Sequence, residues 1–159
     1  MAQYSATLTP PKTSSGTELW YSEKETPTTA SDLIQIFLVQ EVPTLKSAPE
    51  AVTYSCLESP NEGTARGVAK AESLKVPVLY SEQQHDKLKA LSDANKQLYF
   101  WVKLPDETAT ESGKPLTFKF SGTIYLANDT VSLNGIIQDN LTIYRDMNVS
   151  EQKGLPTVS

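Results

Sequence analysis

The sequence is short of the residues that most site chemistry needs. Its 159 residues hold one cysteine, Cys56, and one histidine, His85. A single cysteine excludes an internal disulfide framework, and one Cys with one His falls short of a zinc ligand set, so no metal is expected. There is no glycine-rich phosphate loop and no sign of a cofactor. As a general base His85 would need a placed partner; beside Leu88 on a helical face it reads as a partly buried helix residue. Cys56, at a strand end, reads as a small buried apolar residue. The carboxylates Glu58, Glu62, Asp106, Glu107 and Glu111 fall in loops and read as solvated surface. No catalytic residue is expected, and the chain does not read as an enzyme. Basic residues number 14 against 19 acidic ones, for a net charge of −5. Without a Lys/Arg cluster, a grip on nucleic-acid phosphates is not expected. No apolar run approaches the ~18–20 residues of a membrane helix, and Met1-Ala2-Gln3-Tyr4-Ser5 lacks the basic and apolar regions of a secretion signal.

What the chain does have is a long alternation from Leu116 to Tyr144. Leu116, Phe118, Phe120, Ile124 and Leu126 alternate with Thr117, Lys119, Ser121 and Thr123; Val131, Leu133 and Ile137 resume the pattern. Period two marks a strand with one buried face. Asn128-Asp129 suits a two-residue hairpin turn. That turn puts Leu126 opposite Val131, Ile124 opposite Leu133, Phe120 opposite Ile137 and Gly122 opposite Gly135. The paired glycines would leave a gap where the ribbon bends.

Other elements follow from the same patterning. Residues 1–15, with Pro10-Pro11, and residues 146–159 are polar, lack a clear period and read as arms around a single domain, 16–145. Strands are expected over Thr17–Ser22, Ala51–Leu57 and Gln97–Leu104. Leu33–Val39 is apolar enough for a strand covered on both faces. Leu74–Tyr80 is strand-like, but Pro77 cannot donate to a ladder, which places it at an edge or bulge. Glu58–Ser73 reads as a structureless loop, long for a compact domain, of the kind that is usually functional or disordered. Ser81, with Gln84 three residues on, matches a capping box and opens a helix over about 81–95. The fold class is mainly β: two packed antiparallel sheets, sandwich or barrel-like, with one flanking helix and a long loop.

The order of these pieces resembles the major tail tube protein of long-tailed phages with flexible tails. The resemblance runs through Gly16-Thr17-Glu18-Leu19-Trp20-Tyr21, Val42-Pro43 with Leu45, and Pro49-Glu50-Ala51-Val52-Thr53-Tyr54. It continues in Leu57-Glu58-Ser59, Leu74-Lys75-Val76-Pro77-Val78-Leu79-Tyr80 before the helix, Leu104-Pro105-Asp106 and Phe118-Lys119-Phe120-Ser121-Gly122. It covers most of residues 16–145, on the order and spacing of the motifs.

The resemblance implies a structural protein of the virion tail, assembled in the host cytoplasm. Copies would form six-membered rings that stack into a hollow tube, through which double-stranded DNA passes without specific binding. Partners would be further copies and the tape-measure, tail-terminator and tail-tip proteins, with no membrane. The loop residues Glu58, Asn61, Glu62, Gly63, Arg66 and Gly67 would contact neighbouring subunits. Arm residues Tyr4, Pro10, Pro11, Asp146 and Leu155 would tie rings together, and Gly122 and Gly135 would bend the hairpin. Two other readings stand beside it: a monomeric immunoglobulin-like adhesin module, which shares the strand count, and the tube of a contractile injection system, a close cousin of the first reading.

Overall fold

The computed structural model describes residues 13–111 and 113–158. In chain order the described elements are β1 (Glu18–Ser22), β2 (Ile34–Ile36), β3 (Ala51–Tyr54), β4 (Gly63–Arg66) and β5 (Leu74–Leu79). Helix α1 (Glu82–Ala94) follows, then β6 (Leu98–Lys103), β7 (Leu116–Asn128), β8 (Gln138–Arg145) and β9 (Ser150–Lys153). The protein is mainly β, with one large antiparallel sheet, a small second sheet and one flanking helix. The large sheet runs β2-β1-β6-β7-β8-β5, with β9 added to β7; β3 and β4 form the small sheet.

β7 is the strand on which the others are laid. One edge pairs with β6 over residues 117–122. The other pairs with β8 over residues 122–128 and with β9 over residues 116–119. The free stretch of the first edge is met by the helix, where the Leu126 amide donates to Ser92 Oγ at 3.2 Å. The alternation works as expected. Phe120 and Ile124 face inward with Leu98, Phe100 and Val102 of β6, Leu141 and Ile143 of β8, and Leu74, Val76 and Val78 of β5, closed by Leu88 of α1.

The sheet curls until its ends meet. After β2 the chain kinks at Leu38, whose φ is 64°. Val39 then bridges Val78 of β5, with Gln40 N–H donating to the Pro77 carbonyl at 2.9 Å and Leu79 N–H to the Leu38 carbonyl at 3.0 Å. Pro77 does sit on the last strand of the sheet path, its nitrogen turned to this seam, where a missing donor is tolerated.

Several expectations are corrected. The turn is not at Asn128-Asp129: Leu126 faces Leu141, Ile124 faces Ile143 and Gly122 faces Arg145, a displacement of ten residues along the second strand. An even displacement leaves every side chain on its face, so the alternation cannot tell the two registers apart. Leu141 and Ile143 are fully buried, whereas Val131, Leu133 and Ile137 stand in the connecting loop. Gly135 lies in that loop and not across from Gly122. Leu33–Val39 is not one doubly covered strand, because β2 spans only Ile34–Ile36, Phe37 and Leu38 are exposed, and Val39 makes a single isolated bridge. Within the supposed loop 58–73, Gly63–Arg66 is a strand. Within the supposed arm 146–159, Ser150–Lys153 pairs with β7. Ser81 precedes the helix in extended conformation, but its side chain makes no cap bond; only its carbonyl engages, accepting His85 N–H at 2.7 Å.

Candidate functional site

The single histidine is structural in its geometry. His85 Nδ1 lies 2.8 Å from Asp139 Oδ2, and its ring packs at 5.4 Å from Tyr80. Asp139 is a buried residue of β8, so the pair ties α1 to the sheet. Cys56 is exposed rather than buried, because it follows a strand that never enters the core. Among the described residues no three His, Cys, Asp or Glu side chains group to hold a metal, and no helix is long and apolar enough to cross a membrane.

What stands out instead is surface. All four residues of β3 are exposed. Its partner β4 pairs Val52 with Ala65 and Tyr54 with Gly63. The Tyr54 ring lies over Gly63, where a Cβ would collide with it. The hairpin is anchored at its base, where Gly67 N–H donates to the Glu50 carbonyl at 2.7 Å and Lys70 pairs with Glu50 at 2.8 Å. Six expected contact residues gather here. Glu58, Asn61 and Glu62 lie in the connection, Gly63 and Arg66 in β4, and Gly67 at the anchor. The same segment exposes the apolar groups Val52, Tyr54, Leu57 and Val68. An isolated two-stranded hairpin is marginal in water, and this one has no face in the core.

The expected inter-ring residues are dispersed. Tyr4, Pro10 and Pro11 lie outside the described residues. Asp146 N–H donates to the Ser121 carbonyl at 2.7 Å, where β8 breaks before β9, and Leu155 is half-buried beyond β9. Gly122 sits where β6, β7 and β8 meet; a Cβ there would strike the Tyr144 carbonyl.

A second apolar surface was not foreseen. The connection between β7 and β8 exposes Val131 by 71%, Leu133 by 93%, Ile136 by 73% and Ile137 by 52%. Its ends are pinned by Asp129 N–H to the Gln138 carbonyl at 3.1 Å and Tyr80 N–H to the Ile137 carbonyl at 3.0 Å. The signal for it was Asn134-Gly135, a stronger turn dipeptide than Asn128-Asp129. Asn134 takes the left-handed conformation, φ 63°.

The opposite face of the sheet carries the sharpest electrostatics. Loop 23–32 is held there by Lys119 Nζ, which donates to the Glu25 carbonyl at 3.2 Å while lying 5.5 Å over the ring of Trp101. Asp32 ties the loop internally. The Thr29 amide, then Lys24 and the Thr28 amide, bond its carboxylate and lower its pKa to about 2.

No protein-family pattern matches the chain, and no curated protein sequence does. Among solved structures it is similar to a chain of an extracellular contractile injection system, the PVC sheath–tube complex in its extended state, determined by cryo-electron microscopy. The TM-score is 0.62 at 13% identity, over 96% of this chain and 99% of that one. At that identity the likeness is one of fold, and it extends end to end through both chains.

Proposed function

We propose that this protein is a tube subunit of a phage tail or phage-tail-like injection particle, with a structural and not an enzymatic role. Copies close into six-membered rings, and the rings stack into a hollow conduit. The observation that carries the reading is the end-to-end likeness of fold to a chain of a sheath–tube complex. Two features support it. The β3–β4 hairpin exposes Val52 and Tyr54 and is marginal alone, which suits a segment completed by a neighbouring copy. Among the described residues the outer edges of the β3–β4 sheet pair with no other strand, a liability in a monomer that pairing with a neighbouring copy in a ring would remove. In a virion the cargo is double-stranded DNA, and the partners are the tape-measure, tail-terminator and tail-tip proteins. Assembly takes place in the host cytoplasm.

A second reading keeps the tube and changes the machine. The sequence motifs resemble flexible-tailed phages, whereas the solved structure is contractile, so a tube enclosed by a contractile sheath is the alternative. The test is negative-stain electron microscopy of the purified chain at high concentration, with light scattering for mass. Rings or tubes of even bore are expected. Compact monomers at every concentration would overturn the reading in favour of a monomeric binding module.

A further inference from the structure

We infer that the loop between β7 and β8 is a knob that plugs into a groove at the far end of a second copy, and that this contact joins one ring to the next. It rests on the tube reading above and names the surfaces that would stack.

The knob is built in advance. Ser132 to Gly135 is a closed turn, with Gly135 N–H donating to the Ser132 carbonyl at 3.1 Å. Leu133 occupies its first central position, with Asn134 next in the left-handed conformation that Asn tolerates. Leu133 and Ile136 are therefore held out into solvent on a loop pinned at both ends. Ordered exposed leucine and isoleucine on a short loop mark an interaction surface.

The groove lies at the opposite end of the same strand. It has a volume of about 710 Å³ and is lined by Leu19, Val42, Val102, Leu104 and Phe118, with Glu41 on its wall. Leu19 and Val102 are buried core residues, so its floor is the open end of the barrel interior. Phe118 and Asn128 are ten residues apart on β7, which at ~3.3 Å per residue is roughly 30 Å. A loop pinned at one end of β7 cannot reach a groove at the other end of its own chain. A second copy placed along the strand direction can. A knob and a socket at opposite ends of one chain make a heterologous contact, which closes into a ring when successive copies are rotated and runs on without closing when they are displaced along one axis. Copies displaced along the strand direction give the second case, the stacking of one ring on the next.

The test uses the full chain. Leu133→Asp is fully exposed in the monomer and should leave its thermal unfolding unchanged. It should yield free rings, with tubes appearing only at roughly tenfold or more higher protein concentration, given the apolar burial lost. Independently, Glu41→Cys with Leu133→Cys, in a Cys56→Ser background, should cross-link under mild oxidation into a ladder of multimers. Normal tubes from Leu133→Asp, or normal tubes of the double-cysteine protein without a ladder, overturn the contact while leaving the tube reading standing. A cross-link from position 41 to Leu8→Cys of the same chain, in place of the ladder, also overturns it, because the chain's own first residues then fill the groove. Wild-type protein that forms neither rings nor tubes overturns the tube reading, and this contact with it.

Discussion

Gln84 grips the backbone of Phe37 with both ends of its side-chain amide. Its Oε1 accepts the Phe37 N–H at 2.7 Å and its Nε2 donates to the Phe37 carbonyl at 2.8 Å. Phe37 stands at the kink where the chain leaves β2 to close the barrel against β5. A side chain of α1 thus supplies the two bonds that a neighbouring strand would otherwise make.

Gln84→Ala should therefore destabilise the monomer by ~1–2 kcal/mol, the net worth of two hydrogen bonds on a partly solvated backbone. Gln84→Glu keeps the acceptor and loses the donor, so it should fall between wild type and Gln84→Ala. Urea denaturation at neutral pH measures both. A stability of Gln84→Ala equal to wild type would show that the grip is incidental.

His85 and Asp139 give a prediction by contrast. His85→Leu leaves a buried carboxylate without its partner and should cost ~1–3 kcal/mol. His85→Gln retains a donor and should cost less than half of that. The double variant His85→Leu with Asp139→Leu should recover part of the loss, and a double-mutant cycle reads the coupling directly. Additive losses would mean that the 2.8 Å contact carries no energy.

Asp32 sets a pH dependence. Its folded pKa of about 2 lies below its ordinary value of 3.8, so its ionised form stabilises the folded state. That contribution is complete above the ordinary value and is lost as pH falls from about 4 towards 2. Asp32→Asn should be less stable than wild type at neutral pH, and the two stability curves should converge through that window. Curves that stay parallel down to pH 2 would contradict the assignment.

Gly122→Ala should be markedly worse than Gly135→Ala. At Gly122 the new methyl meets only backbone, the Tyr144 carbonyl and the Arg145 Cα, and neither can move without shifting β8; about 1–3 kcal/mol is expected. At Gly135 the nearest atom is the Ser132 hydroxyl, which can rotate away. Thermal unfolding of the two variants checks the order.

The sequence showed its elements better than their pairing. β1, β5, β6, β7 and the helix were legible because their apolar residues recur at two or about 3.6 positions. The register of β7 against β8 was not, because Val131, Leu133 and Ile137 satisfy the same alternation as Leu141 and Ile143. The alternation cannot decide between the sets; the turn dipeptide Asn134-Gly135 points to the second, and packing, a property of the whole barrel, settles it. β9, Ser150-Glu151-Gln152-Lys153, and β4, Gly63-Thr64-Ala65-Arg66, offer no large apolar side chain. They are strands because a neighbouring edge offers them hydrogen bonds, and composition records no trace of that. The β3–β4 surface was flagged by the length and polarity of loop 58–73, whereas Val52 and Tyr54 read as part of an ordinary strand. The apolar tip at Leu133 was hidden by the mistaken turn.

Pro77 closes one route by which this protein could polymerise. Along the seam, β5 offers the Leu79 N–H as a donor and the Pro77 carbonyl as an acceptor, and both are taken by residues 38–40. A foreign strand arriving at this edge would have to displace a segment of the same chain, and would find no N–H at Pro77 in return. Indefinite edge-to-edge growth, the route to amyloid-like material, is thereby closed on this side. On the tube reading proposed above, growth is left to surfaces with a defined shape and a defined mate.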